Sequence, residues 1–482
     1  MSFRHALLFI SPLILSACAS QPLPPTLPAE SLGLPATFRA SGEIPADMRW
    51  WRSFGDTHMD ALIEQALQSN PDLHATYWRL QQADAAADQA RAGFWPRLTG
   101  SLENTEQRRA SNNDFDFSEG ENEGNSWSGS LAASYEVDLW GRVRSGARAA
   151  EAGRLAQADN LQTAALTLAA EVAGVWLQLQ EQRGQAALLR QQLELNRKTL
   201  RALELRFGSG VSTAADVLQQ RQLVQQSRQE LDQATADAEV FEVQLAALLG
   251  IAPETLPAYS HASGVLPALP PMPETGVPAE LLLRRPDVRQ AQRSLLQGHY
   301  LADQAWAERL PSLSIGLFFS GGGTSLSDIA ENWLANLTTA IDGVIFDGGA
   351  LSAARRQQEA VEQERWVAYR NTVMQALSEV EQALINEQAI RTRLGHLQER
   401  AQLAEQITLR QRRAYGLGSI DFLNVLAATD SQQSLERQLL TARRELLDNR
   451  VTLYRALSGG VPAVDLPQPP ALELEVYRVE ES

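Results

Sequence analysis

Apolar residues recur at every seventh position through one long stretch of the chain. They are Ala165, Val172, Leu179, Ala186, Leu193, Leu200 and Phe207. A seven-residue period predicts a narrow coiled-coil seam rather than the broader apolar face of a helix in a globular core. The surrounding residues 142–206 contain no proline and predict a single helix about 98 Å long, at 1.5 Å per residue. Residues 349–414 also lack proline and predict a second helix of similar length.

Alternation of apolar with polar or small residues predicts β-strands. The alternation extends over residues 127–139 and 333–341, and each segment begins with tryptophan. Ten or so alternating residues with an aromatic residue at one end are typical of a transmembrane β-barrel strand, although half-buried strands of soluble proteins alternate too. We expect Leu131, Tyr135 and Ile341 to face lipid, and Ser130 to face the pore. Partner strands are predicted at 97–106 and 313–320, and polar loops at 111–125 and 321–332.

The chain contains an internal repeat. Pro71-Asp72-Leu73 and Pro286-Asp287-Val288 are separated by 215 residues, and the 28 aligned pairs that begin there include 11 identities. Unrelated segments would give about two. Gly208-Ser209-Gly210 and Gly416-Leu417-Gly418 correspond at a spacing of 208. These matches indicate a tandem duplication rather than two different domains.

Each copy is predicted to hold a short helix, two strands, a long helix and a return helix. The short helix, at 72–95 in the first copy, and the return helix, at 213–249, together match the length of the long helix. They could therefore stack end to end beside it. The predicted divisions are a signal peptide at 1–17, a lipid-anchored segment at 18–60, a first repeat at 61–252, a proline-rich linker at 253–279, a second repeat at 280–460 and a tail at 461–482.

Glycines follow the ends of the two predicted long helices. A glycine just past a helix can adopt the left-handed conformation that closes it, and a serine can cap the next helix. The predicted turn glycines are Gly208, Gly210, Gly416 and Gly418, and the predicted caps are Ser212 and Ser419.

Cys18, the single cysteine, ends the string Leu15-Ser16-Ala17-Cys18 after an apolar run. The string resembles a bacterial lipobox, in which the thiol is acylated before the signal peptide is cleaved. Acyl chains contribute about 0.8 kcal/mol per buried CH₂, so several of them can hold a protein on a membrane. The alternative is a free cysteine inside an ordinary signal peptide.

Composition excludes several classes of function. The net charge of −16 argues against nucleic acid as a partner, because phosphate binding needs a basic surface. No later segment reaches 18 consecutive apolar residues, so no transmembrane helix is predicted. The six histidines have no metal-ligand spacing, and neither HExxH, CxxC nor a nucleophile elbow occurs. The sequence therefore predicts no enzyme, metal site or cofactor.

Four barrel strands per chain cannot close a barrel, and open strand edges are not tolerated in lipid. The chain is therefore expected to form oligomers. Three chains would supply 12 strands and four would supply 16, and the pattern alone does not choose between them.

A set of short motifs resembles the outer-membrane efflux protein family, near the NodT-type lipoprotein branch of the TolC-like channels. The motifs are Trp50-Trp51-Arg52-Ser53-Phe54-Gly55-Asp56, Leu62-Ile63, Asn70-Pro71-Asp72-Leu73, Tyr135-Glu136-Val137-Asp138-Leu139-Trp140-Gly141-Arg142 and Ile345-Phe346-Asp347-Gly348-Gly349. The resemblance implies an α+β membrane protein whose tandem-repeat protomers form a homotrimer. Its 12-stranded β-barrel would cross the outer membrane and continue as a long α-helical barrel through the periplasm. The implied partners are outer-membrane lipid, a periplasmic membrane-fusion adaptor and an inner-membrane pump of the RND type.

The predicted function is a passive exit duct for drugs or other small solutes delivered by that pump. The alternatives are a type I protein-secretion channel and a lipid-anchored structural coiled coil of the cell envelope. Because selectivity resides mostly in the pump, the sequence does not indicate the substrate.

The resemblance also implies an acidic ring where the periplasmic helix tips meet. Asp216 has the matching place in the first tip, and Tyr415 fits the pattern of the second. Asn424 and Ala427 stand where related channels carry acids, so that Asp421 is the candidate substitute. Converging carboxylates would attract cations and gate the channel. The alternative for Asp216 is a solvated carboxylate favoured by the dipole at a helix start. The four turn glycines are the candidates for adaptor contact.

Overall fold

A computed structural model describes residues 36–42, 47–108, 123–256, 264–278 and 284–467. Cys18, the predicted signal peptide and most of the predicted loop 111–125 lie outside these ranges. The α-helices are α1 Thr57–Ser69, α2 Pro71–Arg91, α3 Arg142–Gly208, α4 Ala214–Leu249, α5 Pro286–Ala307, α6 Asp328–Glu331, α7 Ala350–Gly416 and α8 Phe422–Leu457. The strands are β1 Arg97–Arg108, β2 Glu123–Val137, β3 Ser312–Gly323 and β4 Trp333–Asp342. Short 3₁₀ helices cover Trp50–Phe54, Ala92–Phe94, Pro253–Thr255 and Ala463–Asp465.

In both halves of the chain a short helix, two strands, a long helix and a return helix follow one another, and in the second half the short α6 lies between the strands, where a loop was predicted. The two long helices, α3 and α7, each span 67 residues and end within two residues of the predicted positions. Within the described ranges, no helix has both the length and the apolar character needed to cross a bilayer.

The described residues form two compact units, and each long helix contributes to both. The strand unit contains residues 80–108, 123–157 and 290–370. The tip unit contains residues 36–42, 47–79, 158–256, 264–278, 284–289 and 371–467.

The strand unit holds one antiparallel sheet in the order β1-β2-β3-β4. Its register brings the apolar positions of all four strands onto one face, because Leu131 lies opposite both Gly100 and Phe319, and Leu317 lies opposite Leu337. The other face is mostly polar or small. The predicted separation of the positions is therefore confirmed, with Leu131, Tyr135 and Ile341 on the apolar face and Ser130 on the other.

Two apolar side chains interrupt the polar face. Phe318 lies opposite Ala132 and Asn336, and Leu334 lies opposite Ser320. At the two ends of the sheet, β1 and β4 each have one hydrogen-bonded neighbour among the described strands. The chain therefore leaves two strand edges open, as expected for part of a larger barrel.

Four helical segments of the strand unit pack side by side. Arg91 of α2 pairs with Glu151 of α3 at 2.6 Å. Arg293 of α5 donates a 2.8 Å hydrogen bond to the Leu155 carbonyl of α3. On its other side, α5 contacts α7, where the His299 ring and the Glu362 carboxylate lie 3.0 Å apart. The segments thus follow one another as α2, α3, α5 and α7.

Polar contacts join the short and return helices in the tip unit. At the start of α2, the Asn70 amide donates to the Leu248 carbonyl at the end of α4, at 2.9 Å. The corresponding residue of the second repeat, Arg285, donates to the Ala456 carbonyl at the end of α8, at 3.3 Å. The end-to-end stacking predicted from helix lengths is confirmed in both repeats.

The seven-residue seam of α3 is buried along most of its length. Its positions from Ala165 to Leu193 are all buried, and Ala186 packs against Ala234 of α4. Phe207, the last position of the predicted seam, is instead exposed. That part of the prediction is wrong because α3 ends one residue later, at Gly208, where the turn removes the partner helix from its side.

A second seam of α3 is polar and was missed by the sequence analysis. Asn196 and Gln433 of α8 exchange two hydrogen bonds of 3.1 Å through their amides. Nearer the middle of α3, Gln185 donates to Thr441 and Gln192 donates to Glu436. Buried amides that satisfy one another in this way fix the register of packed helices.

Candidate functional site

The first helix tip joins α3 to α4 through a left-handed glycine. The Gly210 amide donates to the Phe207 carbonyl at 2.9 Å, and the Val211 amide donates to the Arg206 carbonyl at 2.8 Å. Gly210 has a φ of 76°. This pair of hydrogen bonds is the Schellman motif, which satisfies carbonyls that a helix end would otherwise leave unpaired.

The second tip, between α7 and α8, repeats the same geometry. The Gly418 amide donates to Tyr415 and the Ser419 amide donates to Ala414, both at 3.0 Å. Gly418 has a φ of 71°. The internal repeat therefore extends to the hydrogen bonds of the turns.

Some of the predicted turn roles are wrong. Gly208 and Gly416 are the last residues of their helices and do not have positive φ, since the left-handed residues are Gly210 and Gly418. Thr213 and Asp421 occupy the caps predicted for serines. The serine hydroxyls are used elsewhere, because that of Ser212 lies 3.2 Å from the Tyr415 hydroxyl and that of Ser419 donates to the Ala414 carbonyl at 2.9 Å.

This difference between the glycines gives a matched pair of variants. Gly210→Ala places a side chain on a left-handed backbone and is expected to destabilise the first tip by about 1–2 kcal/mol. Gly208→Ala, within the helix, is expected to be neutral or to stabilise it by about 0.5–1 kcal/mol. Hydrogen exchange of the tip amides measures both effects. Equal exchange in the two variants would contradict this assignment of the turns.

Tyr415 connects the two tips. Its hydroxyl lies 3.2 Å from the Ser212 hydroxyl, and the Arg206 guanidinium carbon lies 4.7 Å from its ring centroid. Its ring also meets that of Phe422 edge-on, at 5.4 Å between centroids. Beneath it, Leu203, Val217, Phe422 and Val425 form a buried cluster shared by α3, α4 and α8. Tyr415 thus contacts both tips of its own chain.

Asp216 belongs to a capping box at the start of α4. The Thr213 amide donates to the Asp216 carboxylate at 3.0 Å, and the Asp216 amide donates to the Thr213 hydroxyl at 3.2 Å. The carboxylate therefore satisfies a backbone amide at a helix start. This arrangement is the one expected for a helix-start carboxylate, and it still leaves Asp216 half-exposed.

The candidate residues of the second tip include one carboxylate, that of Asp421. Asp421 is exposed, and its side chain makes no capping hydrogen bond. Asn424 and Ala427 are exposed on the first turns of α8. No contact among the described residues joins Asp421, Asn424 or Ala427 to Asp216.

Two arginines near the tips were missed by the sequence analysis. Arg206 covers the Tyr415 ring, and its position one residue before the seam residue Phe207 gave no signal of this contact. Arg412 lies half-buried in a cavity of about 180 Å³ that Gln192, Gln433 and Glu436 also line. Burial lowers the pKa of Arg412 from its usual value. A cation three residues before Tyr415 was the available signal.

Apolar side chains are exposed around the two turns. They are Leu205, Phe207, Val211 and Leu218 at the first tip, and Leu417 and Leu423 at the second. Leu417, at the turn itself, is 86% exposed. An apolar patch at a helix tip is typical of a protein contact surface.

Comparison with known proteins identifies a family model and relatives that match most of this chain. The family model described as outer membrane efflux protein matches residues 62–251 and 277–459. The pyoverdine export outer membrane protein OpmQ of Pseudomonas putida is 35% identical over 465 residues, covering 95% of this chain and 97% of that protein. OpmQ of Pseudomonas aeruginosa is 30% identical over 469 residues, covering 95% and 98%.

A solved structure of the outer-membrane channel OprN superposes with a TM-score of 0.82 at 27% identity, covering 92% of this chain and 98% of that chain. The predicted fold class, barrel strands joined to long helices in the manner of the TolC-like channels, is therefore confirmed. Proteins of this family are channels rather than enzymes. This chain belongs to the outer membrane efflux protein family, and it is an efflux channel of the outer membrane.

Proposed function

We propose that three copies of this chain form the exit duct of a tripartite efflux system, with no energy source of their own. The observation that carries the proposal is the open sheet β1-β2-β3-β4, whose apolar face is continuous across all four strands. A sheet with one apolar and one polar face can cross a membrane only when its edges are closed. Further copies of the same chain supply strands that fit both edges.

Three copies give a barrel of 12 strands. Such a barrel leaves a modest lumen, in keeping with the small and polar residues of the inner face, which include Ser101, Ser130 and Ser320. The repeats proposed at 61–252 and 280–460 would each contribute two strands and a set of helices to the wall.

The helix tips are the proposed docking site for a periplasmic adaptor. Leu205, Val211 and Leu417 are exposed around turns whose backbone is fixed by Schellman hydrogen bonds. A rigid turn with exposed apolar side chains costs little entropy to bury against a partner. The adaptor would connect the duct to an inner-membrane pump of the RND type, which supplies the energy.

The lipid anchor is proposed from the sequence. Acylation of Cys18 would attach the mature N-terminus to the outer membrane. Mass spectrometry of the mature N-terminal peptide tests the anchor, and an unmodified Cys18 would contradict it.

A secreted siderophore of the pyoverdine type is the proposed cargo to test first, because the OpmQ relatives are named for pyoverdine export. Deleting the gene while retaining the pump and adaptor should trap that cargo in the periplasm. Restored export with the wild-type gene is the expected control result. Normal cargo export in the deletion strain, accompanied by the loss of a secreted protein, would instead favour a type I secretion channel.

The gate role proposed for Asp216 predicts a change in ion conduction. Asp216→Asn removes the charge but keeps an oxygen that can accept from the Thr213 amide. Three carboxylates around one axis would repel one another and attract cations. We therefore expect the variant to raise resting conductance or to reduce cation preference in planar bilayers.

Thr213→Val is the matched control for this prediction. It removes the hydroxyl that accepts from the Asp216 amide and is expected to cost about 1 kcal/mol of tip stability, while the charge of Asp216 remains. Conductance and selectivity that change equally in both variants would show that Asp216 acts only as a cap. Asp421→Asn tests the second tip in the same way.

A further inference from the structure

A groove of about 460 Å³ lies beside the helices of the strand unit. Its floor is apolar and includes Ala147, Ala152 and Leu155 of α3, with Leu296 of α5. Arginines rim it: Arg91 from α2, Arg144 and Arg148 from α3, and Arg293 from α5. Glu151 is the carboxylate among its lining residues.

The groove lies on a face of the helix layer rather than at its edge. The packing order in the strand unit is α2, α3, α5 and α7, so that α2 and α7 are the outer helices available to neighbouring copies. The floor of the groove is formed mainly by α3, between α2 and α5. Neighbouring copies that pack against the outer helices would therefore leave this face uncovered.

The charges of the rim do not cancel within the chain. Arg91 pairs with Glu151 at 2.6 Å and with Asp88 at 2.9 Å. Glu151 is also bound by Arg154, whose hydrogen bond is the largest cause that lowers the pKa of Glu151. The carboxylate on the rim is thus already shared by two arginines.

Two other arginines have weaker partners. Arg144 is exposed and lies 3.8 Å from Asp138. Arg148 is exposed, its guanidinium carbon lies 5.9 Å from the Tyr300 ring centroid, and its charge acts at longer range on the Asp303 carboxylate. Arg144 and Arg148 are four residues apart on α3 and therefore share one helix face. Together they leave a surplus of positive charge over an apolar floor.

The groove lies close to the ends of the barrel strands. Arg144 and Arg148 fall in the first two turns of α3, which begins five residues after β2 ends. Phe94, which lines the groove, lies three residues before β1. Its neighbour Trp95 is 77% exposed. Exposed aromatic residues at the ends of membrane strands are typical of the level of lipid headgroups.

We propose that this groove binds an anionic phospholipid of the outer membrane, with its phosphate at Arg144 and Arg148 and an acyl chain on the floor of Ala147, Ala152 and Leu296. The inference rests on the proposed function, because it requires the strands to cross the membrane. Arginine recognises phosphate through charge-assisted hydrogen bonds, and clusters of basic residues beside a membrane attract anionic headgroups. The lipid would fasten the helices to the membrane below the barrel.

Native mass spectrometry of the intact trimer, extracted and exposed to phosphatidylglycerol or phosphatidylethanolamine, tests the site. We expect phosphatidylglycerol to be retained in preference. The variant Arg144→Gln with Arg148→Gln should weaken that binding about 25-fold, at roughly fivefold for each arginine. Arg197→Gln, an exposed arginine of α3 in the tip unit, is the matched control and should bind lipid like the wild type.

Unchanged phosphatidylglycerol binding by the double variant would overturn the site. Dodecyl phosphate provides a soluble probe with the same chemistry. Binding of dodecyl phosphate without any binding of phosphatidylglycerol would show that the groove takes a soluble amphiphile, and would also overturn the lipid assignment. The same spectra report the oligomer. A wild-type protein without trimers would contradict the proposed function, whereas trimers with unchanged lipid binding contradict only the groove.

Discussion

Glu387→Leu is expected to lower the free energy of unfolding of the tip unit by about 3–5 kcal/mol. The Glu387 carboxylate of α7 accepts a 2.6 Å hydrogen bond from Arg450 of α8, and Arg450 is 0% exposed. Arg450 also donates to the Pro270 carbonyl of the linker at 2.6 Å. Removing the carboxylate would leave a buried guanidinium without a counter-charge. Urea unfolding of the purified protein, followed by circular dichroism, measures the loss.

Two controls separate this effect from simple loss of an ion pair. Glu64 and Arg52 form an exposed pair at 2.7 Å, and Glu64→Leu should cost no more than about 1 kcal/mol. Combining Glu387→Leu with Arg450→Met removes both buried charges and should recover most of the stability. A double variant as unstable as Glu387→Leu alone would show that packing, rather than the unpaired charge, causes the loss.

Leu131→Arg is expected to destabilise the folded barrel by about 2–4 kcal/mol if Leu131 lies near the bilayer midplane. Leu131 lies midway along β2, with Gly100 and Phe319 opposite it on the apolar face. An arginine there would have to place its charge in hydrocarbon. Folding into lipid vesicles across a urea series measures the change.

Ser130→Arg is the adjacent control on the other face. The Ser130 hydroxyl lies 2.8 Å from that of Ser101, on the polar side of the sheet. We expect this variant to fold with nearly wild-type stability and to reduce conductance by narrowing the lumen. Equal stability losses in Leu131→Arg and Ser130→Arg would contradict the assignment of the faces.

Much of the fold could be predicted because it follows from periodicity. A seven-residue spacing and the absence of proline predicted α3 and α7, and alternation predicted which face of β2 is apolar. The 215-residue repeat predicted that the second half would copy the first, and the structure shows related helix joints at Asn70 and Arg285.

Other features could not be predicted because they depend on contacts between distant segments. The ion pair of Glu387 and Arg450 joins two helices to the linker. Each of its charged residues looks, in the sequence alone, like part of a solvated helix face. The exposure of Phe207 depended on where the turn begins.

The candidate site was predicted less completely than the fold. The resemblance indicated Asp216 and Tyr415, and the structure gives both of them contacts within one chain. Whether three copies of Asp216 form a ring depends on symmetry, to which a single sequence gives no direct access. Arg206 had no spacing pattern that marked it, and the three-residue spacing of Arg412 from Tyr415 was the one signal for the other arginine.

The central claim is that the open edges of the sheet close between three copies, and cysteine cross-linking tests it most directly. Cys18 is the single native cysteine, so pairs placed on the two edges can be interpreted without interference when Cys18 is acylated. Each double variant carries one cysteine at Thr99 or Ser101 of β1 and another at Asn336 or Thr338 of β4. Together the variants sample different registers between β1 of one copy and β4 of the next. Oxidation in membranes should give covalent products that end at three chains for the pair in register. Products that end at two or four chains, or no product from any pair, would contradict the account.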